Sequence, residues 1–532
     1  MGEEVKVGGR QDGAELVRSA GLISGLTFVS RLLGLVREQV FAASFGTGLY
    51  SDAFQIAFRI PNLLRDLFAE GALSAAFVPT YTRILTREGR AEAMRLVNRL
   101  LTLLAAGLGV LVLIGMAVAP QIVALLAPGY GAIPGKAQIT VTLTRIMLPF
   151  LPIVSFAAVA MGMLNAERRF RAPALAPATF NLVAILWAAV LWLGGFGPKA
   201  VAVGWSVGVI LGGLAQVATQ VPELWRCGWR LRLKWAPGHP AIRRIMRLMT
   251  PATAGLAAVQ VNILISSVFA SHDPSAVSTL NFAFRILYLP VGIFGVAVGT
   301  IATTGLSHSA AQGDMQGLGE TLRRALRMVA FLTVPATVGL MTLTVPIVRL
   351  IYQRGRFTAA DTDATAMSLM LYALGLLAYT GVKVLAPAFY VLGTPRVPLY
   401  GSLAAVGGHL GLILLAYPWL GFQAVALGTS FGSLLNASLL VAVLQRRLGL
   451  LRGHGLARGL LRMSLAAAVM GLATAGASAW LESVVGSVGL LAHATIALLP
   501  IAAGVGVYVA VARVLRVPEV QDFLDVVRGR GH

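Results

Sequence analysis

The chain has 532 residues, 57% hydrophobic and 12% charged, with a formal net charge of +22. A soluble protein of this size carries roughly a quarter charged residues, and here the apolar excess runs along the whole chain, so a soluble fold is excluded and many spans of about 20 apolar residues are expected. Lys and Arg sit in short connections between apolar runs, which points to membrane topology and anionic lipid headgroups rather than to nucleic acid.

In hydrocarbon every backbone polar group needs an internal partner, which leaves helices or a closed barrel. Runs such as Leu100 to Met116 lack the alternation of barrel strands. The spans are therefore helical, and the expected class is an all-α integral membrane protein of about fourteen helices. Residues 1–18 are polar and read as a cytoplasmic N-terminal segment. The first apolar run contains Arg31 and Arg37, unlike a cleavable leader. Span 1 covers 19–45 and span 2 covers 52–86. Spans 3 to 6 lie near 95–126, 139–165, 174–194 and 201–222, completing an N-lobe at 19–222. The segment 223–242 is a cytoplasmic linker, and its Trp225–Trp235 stretch mixes Trp with Arg and Lys as an interfacial segment does. The lone cysteine, Cys227, rules out an internal disulfide.

Spans 7 to 10 follow near 243–270, 276–307, 323–352 and 363–391, and spans 11 and 12 near 398–417 and 422–446, giving a C-lobe at 243–446. After a connection at 447–458, spans 13 and 14 occupy 459–515, and 516–532 form a cytoplasmic tail. Alternate connections are rich in arginine, for example Arg83, Arg87 and Arg90, then Arg168, Arg169 and Arg171, then Arg446, Arg447, Arg452 and Arg458. The intervening ones carry almost none, so both termini are expected in the cytoplasm. The Gln353–Phe357 connection, with Arg354 and Arg356, is an exception assigned to the outside. Ala57-Phe58-Arg59-Ile60 recurs as Ala283-Phe284-Arg285-Ile286, Pro120-Gln121-Ile122-Val123 resembles Pro346-Ile347-Val348-Arg349, and Ala172-Pro173 lines up with Val397-Pro398. A shift held near 225 residues makes the lobes a parallel repeat. Spans 13 and 14 fall outside it.

A charged side chain at bilayer depth costs about 2.5–3.5 kcal/mol on insertion scales and usually faces an interior. Such residues gather in three spans: Arg31, Arg37 and Glu38 in span 1; Asp52, Arg59, Arg65, Asp66 and Glu70 in span 2; Arg285 in span 8. Asp52, Arg59 and Asp66, seven apart, form one stripe of alternating charge, either mutually neutralised or facing a cavity. Arg31 and Glu38 are also seven apart and can neutralise each other. That leaves Arg37, Arg65 and Arg285 without a good partner on their own helices. A diphosphate would satisfy three such forks with bidentate hydrogen bonds. The structural alternatives are snorkelling for Arg37 and a carbonyl partner for Arg285. The seven histidines show no metal spacing, no phosphate-binding Walker loop is present, and glycines in the spans serve close packing. Prolines inside spans, Pro61, Pro149, Pro152, Pro290, Pro335 and Pro387, are either plain kinks or bending points.

Ser30-Arg31-Leu32-Leu33-Gly34-Leu35-Val36-Arg37-Glu38 and Ser51-Asp52-Ala53-Phe54 resemble the start of the MurJ/MviN lipid II flippases. The stretch from Phe58 through Arg65-Asp66-Leu67-Phe68-Ala69-Glu70-Gly71 to Pro79 is the most specific match, and the resemblance extends to the Tyr352-Gln353-Arg354-Gly355-Arg356-Phe357 loop. The family belongs to the multidrug/oligosaccharidyl-lipid/polysaccharide exporter superfamily. The resemblance implies two six-helix lobes around a cavity, with spans 13 and 14 forming a groove for a lipid tail. It implies diphosphate binding by Arg37, Arg65 and Arg285, and polar cavity or gate positions at Arg31, Glu38, Asp52, Arg59 and Glu70. Glu38 stands where many relatives have Asp. Relatives that bind sodium use carboxylates on spans 7 and 11, and span 11 here carries none.

The implied activity is translocation of lipid II, the undecaprenyl-diphosphate-linked muropeptide, across the bacterial inner membrane by alternating access. No cofactor, metal or covalent chemistry is implied. The partners would be lipid II, membrane lipids and the cell-wall synthesis or division machinery. The alternatives are a flippase for another polyprenyl-linked oligosaccharide or an exporter of small amphiphiles. A membrane enzyme needs catalytic groups on loops, which are short here, and a scaffold would tolerate loss of the three arginines.

Overall fold

The computed structural model describes residues 5–65, 72–449, 456–486, 488–521 and 524, and among these every regular element is helical. Among the described residues, twenty α-helices lie along the expected spans. Span 1 is α1 (Val5–Phe45), which reaches back into the polar N-terminal stretch. Six spans are each divided in two. Span 2 becomes α2 (Leu49–Arg65) and α3 (Ala72–Arg87), span 3 α4 (Arg90–Ala117) and α5 (Ala119–Leu126), and span 4 α6 (Lys136–Met147) and α7 (Phe150–Ala166). Spans 5 and 6 are α8 (Arg171–Leu193) and α9 (Pro198–Arg226), and span 7 is α10 (Pro240–Ala270).

Span 8 divides into α11 (Ala276–Pro290) and α12 (Val296–Ala311), span 9 into α13 (Met315–Thr342) and α14 (Thr344–Tyr352), and span 10 into α15 (Ala359–Ala373) and α16 (Leu376–Val391). The chain ends with α17 (Arg396–Leu420), α18 (Gln423–Leu448), α19 (Leu456–Val485) and α20 (Leu490–Val514). Among the described residues ten helices are long and apolar enough to cross a membrane, or eleven if the bent pair α15–α16 is one span. The chain is a multi-pass membrane protein.

The breaks have local causes. Pro120 and Pro346 lie in the first turns of α5 and α14, where a missing N–H leaves no carbonyl unsatisfied. Pro149 stands between α6 and α7, and Pro290 precedes a π-helical turn, Val291–Gly295, before α12. Pro61, Pro335 and Pro387 instead lie within continuous helices.

Contacts divide the chain into two units, residues 1–260 and 261–532, with the boundary inside α10. In the first unit Phe41 packs on Phe54 and Trp205 with ring centroids 4.8 and 5.1 Å apart. A second cluster joins Phe77, Tyr81, Leu96, Met163, Leu224, Trp229 and Ile245. The connection after α9 carries no regular element from 229 to 236 and is pinned to α4: Asn98 Nδ2 donates to Arg230 O at 3.0 Å, and Lys234 N–H donates to Thr102 Oγ1 at 2.9 Å. In the second unit α12, α13, α16 and α18 share a core, and α19 and α20 pack on α13 around Phe331, Met463, Met470 and Tyr508.

The two units repeat the same backbone devices at a fixed shift. α4 ends at Val118 (φ −93°) and α13 at Leu343 (φ −112°), and each cap N–H returns to a carbonyl four residues back. Arg168 (φ 58°) follows α7 and Gly393 (φ 66°) follows α16. At both, the next N–H reaches back five residues, Arg169 to Leu164 O and Thr394 to Phe389 O, each at 2.8 Å, which is the Schellman closure. From Gly89 to Arg171 the register holds without insertion against Asp314 to Arg396.

Candidate functional site: intramembrane charges

The sequence-derived polar residues of the first unit fall into two groups. On α1, Asn181 Nδ2 of α8 donates to Ser30 O at 3.1 Å and holds the two helices together beside the charged stretch. About two turns on, Arg37 Nη2 donates to Glu38 Oε1 at 2.8 Å, and its guanidinium lies 5.4 Å from the Phe180 ring centroid, a cation–π distance. An aromatic row supports that ring: Phe150 stacks within 5.9 Å of Phe180, and Phe58 within 6.0 Å of Phe150. The Arg37 and Glu38 side chains are 18% and 11% exposed.

This corrects the expected pairing. About 10.5 Å of helical rise separates Arg31 from Glu38, whereas Arg37 folds its long side chain onto its neighbour. Arg31 is exposed and makes no ion pair among the described residues. Arg65 is half-buried at the end of α2 and Arg285 is exposed on α11; both make contacts within the protein. None of the three is therefore without a contact: the rule of three- and four-residue spacing passes over the adjacent Glu38 that Arg37 reaches. A guanidinium has five donors, and one carboxylate contact does not exhaust them. Asp66 and Glu70 lie outside the described residues.

The second group centres on Asp52. Its carboxylate accepts a hydrogen bond from Lys136 Nζ at 2.7 Å, with side-chain exposures of 0% and 1%. Lys136 begins α6 and its ammonium lies 4.2 Å from the Tyr130 ring centroid. Burial pushes the Tyr130 phenol well above its usual value; Asp52 adds to that push and Arg59 opposes it. Asp52 is thus neutralised from across the bundle and not solely along its own stripe. Lys136 was missed because it lies just outside expected span 4. Its signal was available: a lysine in a connection where the charge alternation expects none.

In the second unit, α13, α16, α18 and α19 line an apolar cavity of about 300 Å³ bordered by Leu377, Leu385, Val441, Leu460 and Met463, with Arg327 at its edge. Arg327 pairs with Glu519. In the external-type loop, Tyr352 and Phe357 are buried against Phe282, with ring centroids 4.9 and 5.5 Å from it. Arg354 donates back to Leu350 O. No cluster of three metal-ligating side chains occurs among the described residues.

Residues 41–493 match the family model described as lipid II flippase MurJ. The chain belongs to that family. It is 35% identical over 501 residues to the probable lipid II flippase MurJ of Rhizobium meliloti, covering 93% of each chain. It is 34% identical over 440 residues to the lipid II flippase MurJ of Burkholderia cenocepacia, covering 81% of this chain and 84% of that one. Among solved structures it resembles a lipid II flippase MurJ in an inward closed conformation, with a TM-score of 0.75 at 24% identity over 93% of this chain and 98% of that one. An inward-facing multidrug transporter of the wider superfamily aligns with a TM-score of 0.66 at 16% identity, covering 81% and 98%. These last two likenesses concern the fold. The MurJ match includes α2 and α11, where Arg65 and Arg285 lie, and begins four residues after Arg37.

Proposed function

We propose that this chain translocates lipid II from the cytoplasmic to the outer leaflet of the inner membrane by alternating access, without covalent chemistry. The carrying observation is family membership over residues 41–493. In this reading Arg37, Arg65 and Arg285 are the diphosphate-binding residues, because a guanidinium fork gives bidentate, charge-assisted hydrogen bonds to phosphate. The Arg37 contacts support a gating role: the anion competes with Glu38 and with the Phe180 ring of α8 for the fork, so arrival of cargo loosens α1 from α8. Arg31 and Arg59 supply further polar positions, while the sealed Asp52–Lys136 pair ties α2 to α6. The apolar cavity beside α19 supports a prenyl tail that stays in a lipid-like environment while the headgroup crosses. Both termini lie in the cytoplasm, as the arginine-rich connections suggest.

Net direction needs an asymmetric input, either membrane potential or removal of product; of the two we favour the potential, worth about 2.3 kcal/mol per charge per 100 mV. The test is translocation of labelled lipid II in liposomes, with and without a potential, for wild type, Arg65→Ala and Arg285→Ala. Wild type should translocate faster with the potential, and each variant should lose at least tenfold. Unimpaired transport by both variants would refute the arginine site; transport of another polyprenyl-linked oligosaccharide but not lipid II would move the substrate assignment to that cargo.

A further inference from the structure

His409 lies near the centre of the 25-residue helix α17 and is 1% exposed. The middle of a helix that long falls near the bilayer midplane, where an ionisable residue marks function. No other titratable side chain stands near it along the three helices that meet there. On α10 from Val261 the next are His272 and Asp273, beyond the helix end; on α17 they are Tyr400 and Tyr417; on α18 none precedes Arg446. Tyr417 is engaged with Asp273, its hydroxyl donating at 2.6 Å.

Both ring nitrogens face hydroxyls. Nε2 lies 3.4 Å from Ser266 Oγ of α10, and Nδ1 lies 3.3 Å from Thr429 Oγ1 of α18. Each hydroxyl already donates its proton to a carbonyl one turn back, Ser266 to Asn262 O at 3.0 Å and Thr429 to Val425 O at 2.7 Å. Each therefore turns a lone pair toward the ring. Two acceptors facing two nitrogens match an imidazolium, which donates from both; a neutral ring donates from only one. For the neutral ring, one hydroxyl must leave its helix carbonyl and donate to the bare nitrogen. Burial opposes the charge while the acceptors favour it, and the two states differ by one proton and one hydroxyl rotation.

The packing leaves little slack around this switch. A Cβ added at Gly432 would lie 2.6 Å from Ala405 O and 3.4 Å from His409 Cβ, and one at Gly428 3.0 Å from His409 O. A change at the ring is therefore felt by α17 and α18 together. Ser266 and Thr429 are each half-buried, so the ring stands one hydroxyl from the surface of the unit.

We propose that His409 is a proton-binding site through which proton uptake biases the α10–α17–α18 packing during the transport cycle; this rests on the flippase reading above. The proton comes from water and binds the unprotonated imidazole nitrogen, displacing the hydrogen bond that a hydroxyl makes to it. The hydroxyl that donated to that nitrogen then returns to its helix carbonyl.

The full-length protein, carrying isotope-labelled histidine and reconstituted in liposomes, is titrated by solid-state NMR, with His409→Asn assigning the signal by difference. Wild type should show an imidazole that titrates within about pH 3 to 8 and is missing from His409→Asn. Ser266→Ala, a small change that removes one acceptor of the charged ring, should move that midpoint down by about one pH unit. In the same liposomes, lipid II translocation should vary with pH in wild type and lose that dependence in His409→Asn. A ring that stays neutral over the range, a midpoint unmoved by Ser266→Ala, or a wild-type pH profile in His409→Asn overturns the proposal. A wild type that moves no lipid II while His409 still titrates counts against the flippase reading, and separates that failure from the failure of the proton site.

Discussion

The Lys136–Asp52 pair is sealed from solvent and, by its position, neutralises a carboxylate that α2 carries into the bundle. Removing one member of such a pair leaves an uncompensated buried charge, a penalty of about 3–5 kcal/mol, whereas neutralising both members is often nearly harmless. Lys136→Met should therefore lower the temperature at which the detergent-purified protein loses its monodisperse peak, and the double variant Lys136→Met with Asp52→Asn should regain most of that loss. Equal losses in the single and double variants would show that the pair does not hold α2 to α6. Residues of this kind mark the limit of reading one helix at a time. The clustering of charge in spans 1, 2 and 8 followed from insertion energetics and needed no structure. The partners did not: Lys136 reaches Asp52 across 84 residues, and the Arg37–Glu38 contact joins neighbours that helical geometry points about 100° apart.

Between residues and the fold stand the helix ends. Arg168 and Gly393 occupy the same left-handed position of the same Schellman closure, one in each unit, but only one of them is the residue that position prefers. A left-handed conformation costs a residue with a Cβ roughly 1–2 kcal/mol, and glycine escapes it. Arg168→Gly should accordingly raise thermal stability and Gly393→Ala should lower it, each by about 1 kcal/mol, in melting curves of the purified protein. A loss from Arg168→Gly would mean that the arginine side chain contributes more than the strain removes. The location of the spans was readable, because hydropathy integrates over some twenty residues. The divisions within them were not all readable: those at Pro149 and Pro290 have a proline to announce them, but α15 and α16 part at Leu374-Gly375, where Gly375 lets the helix bend 43°. There a Cβ would lie 2.8 Å from Ser430 Cα, a tertiary contact that no local pattern encodes.

For the whole molecule, the repeat and the charge alternation were open to sequence reasoning because both are summed over hundreds of residues. The same alternation predicts an orientation that can be measured directly. Cys227 is the only thiol. It is 1% exposed, and burial pushes its pKa up, with the nearby Arg169 opposing that shift. Maleimides react with thiolates, so a buried thiol of raised pKa is nearly silent. The natural chain is then its own background for single introduced cysteines. Arg324, with a side chain 80% exposed, lies near the start of α13 beside Arg323, at the end of that helix next to the α12–α13 connection, and Val488, 90% exposed, lies on a connection without basic residues. With an impermeant maleimide on intact spheroplasts, Val488→Cys should label and Arg324→Cys should not. After permeabilisation both should label, while the natural protein stays unlabelled throughout. The reverse pattern would invert the topology, and it would put the arginine-rich connections on the side from which an outward flippase delivers its product rather than the side from which it loads.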